Sequence, residues 1–292
     1  MTPKNTYISP QKKQKFNQYT VNKKKDIVSN SSIQCISLFS GCGGLDIGAQ
    51  LANCKVISTL DFDKDCYNTI SSNNFFNHSD HILGDIKDMS AKNYSEVLKS
   101  NNPEKLILIG GPPCQPFSKA GYWVTHKKRL GSSDPRNMID QYLRLIDDIK
   151  PDGFILENVE SILHPKNIDS VHQLEKAIDK LGYEFIRLKV NSADFGIPQK
   201  RKRVFFIASK NKIKTELIKT HGNLKECLKN PQLKPYEKVI DWIGCYNKDI
   251  YSDGYDSIEG KYCNDLINVP PGKNYIALTE KYGYPNPKFI AG

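Results

Sequence analysis

Short apolar runs alternate with longer stretches of mixed polarity over residues 33–209. The runs at 33–39, 55–60, 105–109 and 153–156 are brief, rich in Ile, Val and Leu, and stop at a glycine or an acid, or at the serine that precedes Gly41. That pattern predicts buried strands. Further strand-like runs follow at 81–83, 183–190 and 204–208. Between them, helices are predicted at 46–51, from Asp134-Pro135-Arg136 to about residue 150, and at 171–181, closed by Gly182. The second has Met138, Ile139, Leu143, Ile146 and Ile149 on one side, and a proline at its start. Strands alternating with helices predict an α/β chain whose binding crevice lies at the carboxyl ends of the strands.

The polar residues at those strand ends carry the candidate chemistry. The run at 105–109 passes into Gly110-Gly111-Pro112-Pro113-Cys114-Gln115-Pro116-Phe117-Ser118, a turn too rich in glycine and proline to continue as helix or ladder. Cys114 at its tip reads either as a nucleophile or as a small buried thiol. Run 33–39 leads into Ser40-Gly41-Cys42-Gly43-Gly44-Leu45, a strand–glycine turn–helix arrangement that lets backbone N–H groups approach a nucleotide-like ligand. It lacks the lysine of a phosphate-cradling loop. Asp61, about 20 residues on, stands where a ribose hydroxyl pair would be held, whereas Asp63 reads as a helix cap. Asp85 follows the run at 81–83, and Glu157-Asn158-Val159 follows 153–156, as a desolvated functional acid or an N-cap. In Gln199-Lys200-Arg201-Lys202-Arg203, extended backbone would put residues 199, 201 and 203 on one face; a solvated basic edge is the alternative.

Composition narrows the partner more than the fold. The 292 residues carry 42 Lys and Arg against 32 Asp and Glu, a net charge of +10, with a mean hydropathy of −0.53. A polyanionic partner fits that balance. Six of the bases are arginine, so the pair at 201 and 203 stands out. Eight cysteines without a CxxC pair suggest neither a zinc site nor a disulfide framework, and point to a reducing, cytoplasmic setting without a metal. No apolar run approaches the ~20 residues of a membrane span.

Taken together and in this order, the motifs resemble those of the cytosine-C5 DNA methyltransferases of bacterial restriction–modification systems. Phe39-Ser40-Gly41-Cys42-Gly43-Gly44-Leu45 is similar to the family's cofactor turn, and the stretch from Gly110 to Ser118 to its catalytic turn. Glu157-Asn158-Val159 resembles its carboxylate motif, and Gln199 to Arg203 its paired-arginine motif. The resemblance implies a doubly wound, Rossmann-like S-adenosylmethionine-dependent methyltransferase domain with a small, incomplete target-recognition domain. It implies transfer of a methyl group from S-adenosylmethionine to C5 of a flipped cytosine in a specific double-stranded DNA sequence. Cys114 is then the nucleophile, Glu157 holds the N3 edge, and Arg203 with Arg201 faces O2. Phe39, Ser40, Gly41, Gly43, Gly44, Leu45, Asp61, Phe62 and Asp85 would line the cofactor, with aspartate at 61 where many relatives have glutamate. Gln115, Ser118, Asn158 and Gln199 would contact substrate, and the polar stretch at 119–133 would close over it.

The expected organisation is a basic, loose tail at 1–31, a catalytic and cofactor-binding domain at 32–209, and the start of a target-recognition domain at 210–292. The last is rich in Tyr, Asn, Gly and Pro. No segment resembling the remainder of that domain, or the family's returning C-terminal helix, is found before Gly292. The expectation is a monomer whose activity a complementing C-terminal polypeptide would restore. Methylation of cytosine in RNA, and a non-catalytic DNA-binding fragment, remain as alternatives.

Overall fold

The computed structural model describes residues 31–113, 138–213 and 216–243. The expected tail, the polar stretch at 119–133, the first residues of the helix expected from Asp134, and everything from 244 lie outside the described residues.

Strand β1 (Ile33–Leu38) passes through the glycine turn into α1 (Gly44–Leu51), and β2 (Lys55–Asp61) into α2 (Lys64–Ser71). Asp63 caps α2, its carboxylate accepting from the N–H groups of Asp65 and Cys66 at 2.9 and 3.0 Å. Next come β3 (Asp80–Leu83), α3 (Ser95–Asn101) and β4 (Lys105–Gly110). After the undescribed 114–137 follow α4 (Ile139–Ile149), β5 (Gly153–Val159), α5 (Ile168–Lys180), β6 (Glu184–Asn191) and β7 (Lys202–Ser209). Among the described residues these strands form one 7-stranded sheet in the order β3-β2-β1-β4-β5-β7-β6. The first five pair in parallel, and β7 runs antiparallel to both β5 and β6. The chain moves outward from β1 to β3 and then returns to lay β4 against β1. Loops on either side of that return leave in opposite directions, which opens a crevice at the carboxyl ends.

Burial explains why the apolar runs are continuous and do not alternate. In β1 every residue after Ile33 is buried, as a parallel strand covered on both faces requires. On one face Ile36, Leu38, Leu108 and Leu156 pack with Tyr142, Leu145 and Ile146 of α4 and Val171 and Ile178 of α5. Each such side chain contributes ~1.5–3 kcal/mol when fully buried. Phe154 meets Tyr142 and Tyr183 edge to face, with centroids 6.1 and 5.2 Å apart. The Tyr142 hydroxyl lies 2.9 Å from the Ile155 carbonyl and 3.2 Å from that of Leu108, tying α4 to β5 and β4. On the other face Cys35, Cys54, Val56 and Ile109 form a smaller cluster against Leu45 and Ala49.

The largest departure from the sequence pattern is in β5, which continues through Glu157, Asn158 and Val159 instead of ending at Leu156. β4 stops pairing at Gly110↔Leu156, but β7 holds the extra residues through Glu157↔Phe205, Asn158↔Val204 and Val159↔Arg203. Likewise β7 begins at Lys202, so Arg203 belongs to the ladder itself.

Beyond the sheet, β8 (His221–Gly222), α6 (Leu224–Lys229) and β9 (Lys234–Pro235) make a small parallel pair with its connecting helix. Asn223 and Glu226 form a capping box at the start of α6. The Tyr236 hydroxyl donates to Asp194 Oδ1 at 2.7 Å, and Lys219 bridges Asp194 and Glu226 at 3.3 and 3.2 Å. Described residues through Val239 fall in one compact unit; Ile240–Ile243 belong to a second.

Candidate active site

Backbone conformation shapes the glycine turn. Phe39 has a φ of 56°, a region costing a non-glycine residue ~1–2 kcal/mol. Gly43 follows with φ 80°, and an added Cβ there would lie 2.7 Å from the Phe76 ring. At Gly41 and Gly44 an added Cβ would meet nothing within 4 Å, so there is open space beside the turn. Ser40 is anchored: its N–H donates to the Leu60 carbonyl at 3.1 Å and its hydroxyl lies 3.0 Å from that of Ser37. Leu45 points the other way, into the smaller cluster.

Asp61, at the end of β2, accepts from the N–H groups of Gly41 at 2.7 Å and Asp63 at 2.9 Å. It thereby joins the two loops that flank the crevice. Phe62 beside it is 71% exposed, a free aromatic face at the loop tip. Asp85 lies one strand further out. It caps a short turn through the Lys87 N–H at 3.0 Å, close to where the Gly84 N–H donates to the Asp61 carbonyl. An open, glycine-edged turn, an anchored acid, an exposed ring and a second acid thus lie at neighbouring loops on one side of the crevice.

At the other side of the crevice, Glu157 and the two arginines converge. Arg203 Nε lies 2.6 Å from Glu157 Oε1 as a close ion pair, without the in-line N–H direction of a hydrogen bond. Arg201 Nη2 is 3.9 Å from the same oxygen. Register accounts for this: Arg203 is opposite Val159, so it sits diagonally from Glu157 on the same face of the antiparallel pair. An added Cβ at Gly111 would lie 3.1 Å from Glu157 Oε2, so the carboxylate rests directly on the turn that leads to residue 114. Asn158, expected among the substrate contacts, is 2% exposed and donates to the Pro112 carbonyl at 3.4 Å, which makes it a brace of that turn. Gln199 is exposed, and its carbonyl accepts from the Ser192 hydroxyl at 2.9 Å. Cys114, Gln115 and Ser118 lie outside the described residues.

Two features of the site were absent from the sequence reading. One is Asp46 in the first turn of α1, fully buried beneath the glycine turn, whose carboxyl burial pushes up to about 6. Nothing local in the sequence marked that burial, since an acid two positions after Gly44 reads as an ordinary first-turn helix residue. The other is the Asp194–Lys219–Tyr236 cluster, which secures the bend before Gln199. Among the described residues no group of three or more His, Cys, Asp or Glu could hold a metal ion, and no helix is long and apolar enough to cross a membrane.

Comparison with known proteins shows the fold and the family. The crystal structure of a DNA modification methyltransferase encoded within an Escherichia coli prophage superposes with a TM-score of 0.54 at 24% identity, covering 82% of this chain and 66% of that one; the likeness is one of fold. Type II methyltransferase M.SacI of Streptomyces achromogenes is 30% identical over 273 residues, 87% of this chain and 68% of that protein. Type II methyltransferase M.AquIA of Picosynechococcus is 35% identical over 222 residues, 71% of this chain and 86% of that protein. The family model for C-5 cytosine-specific DNA methylases matches residues 33–280, spanning the glycine turn, the carboxylate and both arginines, and the chain belongs to that family.

Proposed function

We propose that this chain methylates C5 of cytosine in double-stranded DNA from S-adenosylmethionine, with Cys114 as nucleophile and Glu157, Arg203 and Arg201 gathered around the base. The observation that carries the reading is the pair of guanidinium groups on Glu157 at the very edge of the Gly110–Pro113 turn. When bound, S-adenosylmethionine supplies a sulfonium methyl group and leaves as the neutral thioether. Phe39, Ser40, Gly41, Gly43 and Gly44 would hold its amino-acid part, Asp61 its ribose hydroxyls, and Phe62 and Asp85 its adenine.

The chemistry follows from the weakness of cytosine C5 as a nucleophile. The Cys114 thiolate adds to C6, and the ring's electrons move to C5, which can then attack the sulfonium methyl carbon, the S–CH3 bond breaking with its electrons left on the departing thioether. Glu157 holds the N3 and 4-amino edge and assists protonation at N3 as charge enters the ring. Arg203, backed by Arg201, offers donors to O2 where charge also develops. Loss of the C5 proton then expels Cys114 as thiolate and restores the aromatic ring. Such chemistry cannot occur inside a stacked duplex, so the target base is flipped out.

A duplex carrying 5-fluorocytosine tests this reading, because fluorine at C5 blocks the final elimination. Incubated with S-adenosylmethionine, the protein is expected to form a covalent adduct that maps to Cys114. Cys114→Ala is expected to form none and to lose methyl transfer while keeping its cofactor affinity. An adduct at the exposed Cys42 of the glycine turn, or full turnover by the variant, would refute the assignment.

A further inference from the structure

The glycine turn leads into a buried carboxyl group that Ser37 of the sheet and the helix N–H stabilise only in part. Asp46 is 0% exposed, and neither of its oxygens makes an in-line hydrogen bond. A carboxylate buried without partners costs several kcal/mol and persists where something compensates it. Its polar surroundings are few. Ser37 of β1 stands beside it, and the Ser37 hydroxyl is 3.0 Å from that of Ser40 in the turn. Asp61 at the end of β2 acts on it as a like charge, and its own carboxylate is committed to the Gly41 and Asp63 N–H groups. From the apolar side Cys35 feels its charge, and burial and the adjacent Cys54 hold the Cys35 thiol neutral. Burial and Asp61 favour the neutral acid, while Ser37 and the helix N–H favour the carboxylate; none of these groups is a cation. A negative charge beneath this turn therefore lacks a counterion supplied by those neighbours.

We infer that Asp46 is the charge-sensing residue of the cofactor pocket, ionising when a cationic sulfonium occupies the turn above it and thereby favouring S-adenosylmethionine over its neutral thioether product. The inference rests on the cofactor reading of the turn. It assigns Asp46 a part in discrimination and product release, and no contact with the reacting atoms. Burial raises the Asp46 carboxyl to about 6 in the fold, so a bound cation shifts the equilibrium towards the carboxylate and a proton leaves. Affinity for the sulfonium compound then rises as pH increases towards 6 and levels off above it. Affinity for the thioether does not follow that curve.

The test measures affinity for S-adenosylmethionine and S-adenosylhomocysteine separately by calorimetry, from pH 5 to 8, with the full-length protein and no DNA. The ratio of the two affinities is expected to shift roughly tenfold towards S-adenosylmethionine across that range, the scale of one charge acting over several ångströms in a protein. Near pH 6, titrations in two buffers of different ionisation heat should show proton release with the sulfonium compound alone. Asp46→Asn is expected to flatten the ratio and abolish the release. Should that variant not fold, the two-buffer measurement on the unaltered protein still decides the matter. Binding of both compounds with a pH-independent ratio and no differential proton release would overturn the role of Asp46 while leaving the cofactor reading intact. Binding of neither would overturn the cofactor reading and this inference with it.

Discussion

Arg203 acts on Glu157 from the opposing strand, and its Nη1 is also held by the Lys202 carbonyl at 2.8 Å, so the guanidinium is oriented before any base arrives. Removing a donor fixed in this way costs ~10²-fold or more in turnover. Arg203→Ala should show that loss in kcat for methyl transfer, and Arg203→Lys should recover little, since an ammonium lacks the planar fork. Gly43 makes a different demand. Its φ of 80° and the Phe76 ring 2.7 Å from an added Cβ predict that Gly43→Ala loses ~2 kcal/mol or more of stability, read by denaturant unfolding. Asp46 adds a pH dependence whose sign can be worked out. Its carboxyl is raised from 3.8 to about 6 in the fold, so between those pH values the folded protein keeps a proton that the unfolded chain releases. Stability from this group is therefore present below about pH 4 and is lost as pH rises through 6. The loss is at most ~3 kcal/mol for a shift of this size. Asp46→Asn should remove that slope from unfolding curves recorded between pH 4 and 7.

At the scale of elements, α4 is pinned to the sheet by one buried hydroxyl placed between the carbonyls of Leu108 and Ile155. Tyr142→Phe leaves those acceptors without it and should cost ~1–2 kcal/mol in unfolding free energy, with methyl transfer retained at low temperature. Sequence pattern located most such elements because local signals mark them: the glycine turn after β1 and the buried run of β4 needed no tertiary information. It placed the end of β5 too early, because Glu157 to Val159 are strand only through pairing with a partner more than forty positions away. Asp46 showed no local sign of complete burial, since an acid in a helix's first turn ordinarily faces water near the positive end of the dipole. The Tyr236–Asp194 bond crosses 42 residues between stretches with no shared periodicity, so only the fold reveals it. The convergence of Arg201 and Arg203 on one face was legible, because two-residue spacing in extended backbone dictates it.

For the molecule as a whole, a net charge of +10 makes DNA association an ion-exchange process. Raising salt from 50 to 200 mM should weaken DNA binding by ~10²-fold or more, as loss of several phosphate contacts does. S-adenosylmethionine affinity should change far less, because under the proposed reading that ligand would meet a pocket edged by Asp61 and Asp85 and not the basic surface; parallel titrations with each ligand check the contrast. The antiparallel pairing of β5 with β7 has a last consequence, and it concerns changes of length. Because side chains alternate across a strand, one residue added or removed within β7 after Arg203 would send the guanidinium to the opposite face, whereas two would return it to the original face one ladder step away. Point substitutions at exposed Lys200 or Lys202 leave that parity intact. In a deletion library the part of β7 after Arg203 should therefore tolerate losses by parity, with single-codon losses inactive and some double-codon losses retaining function.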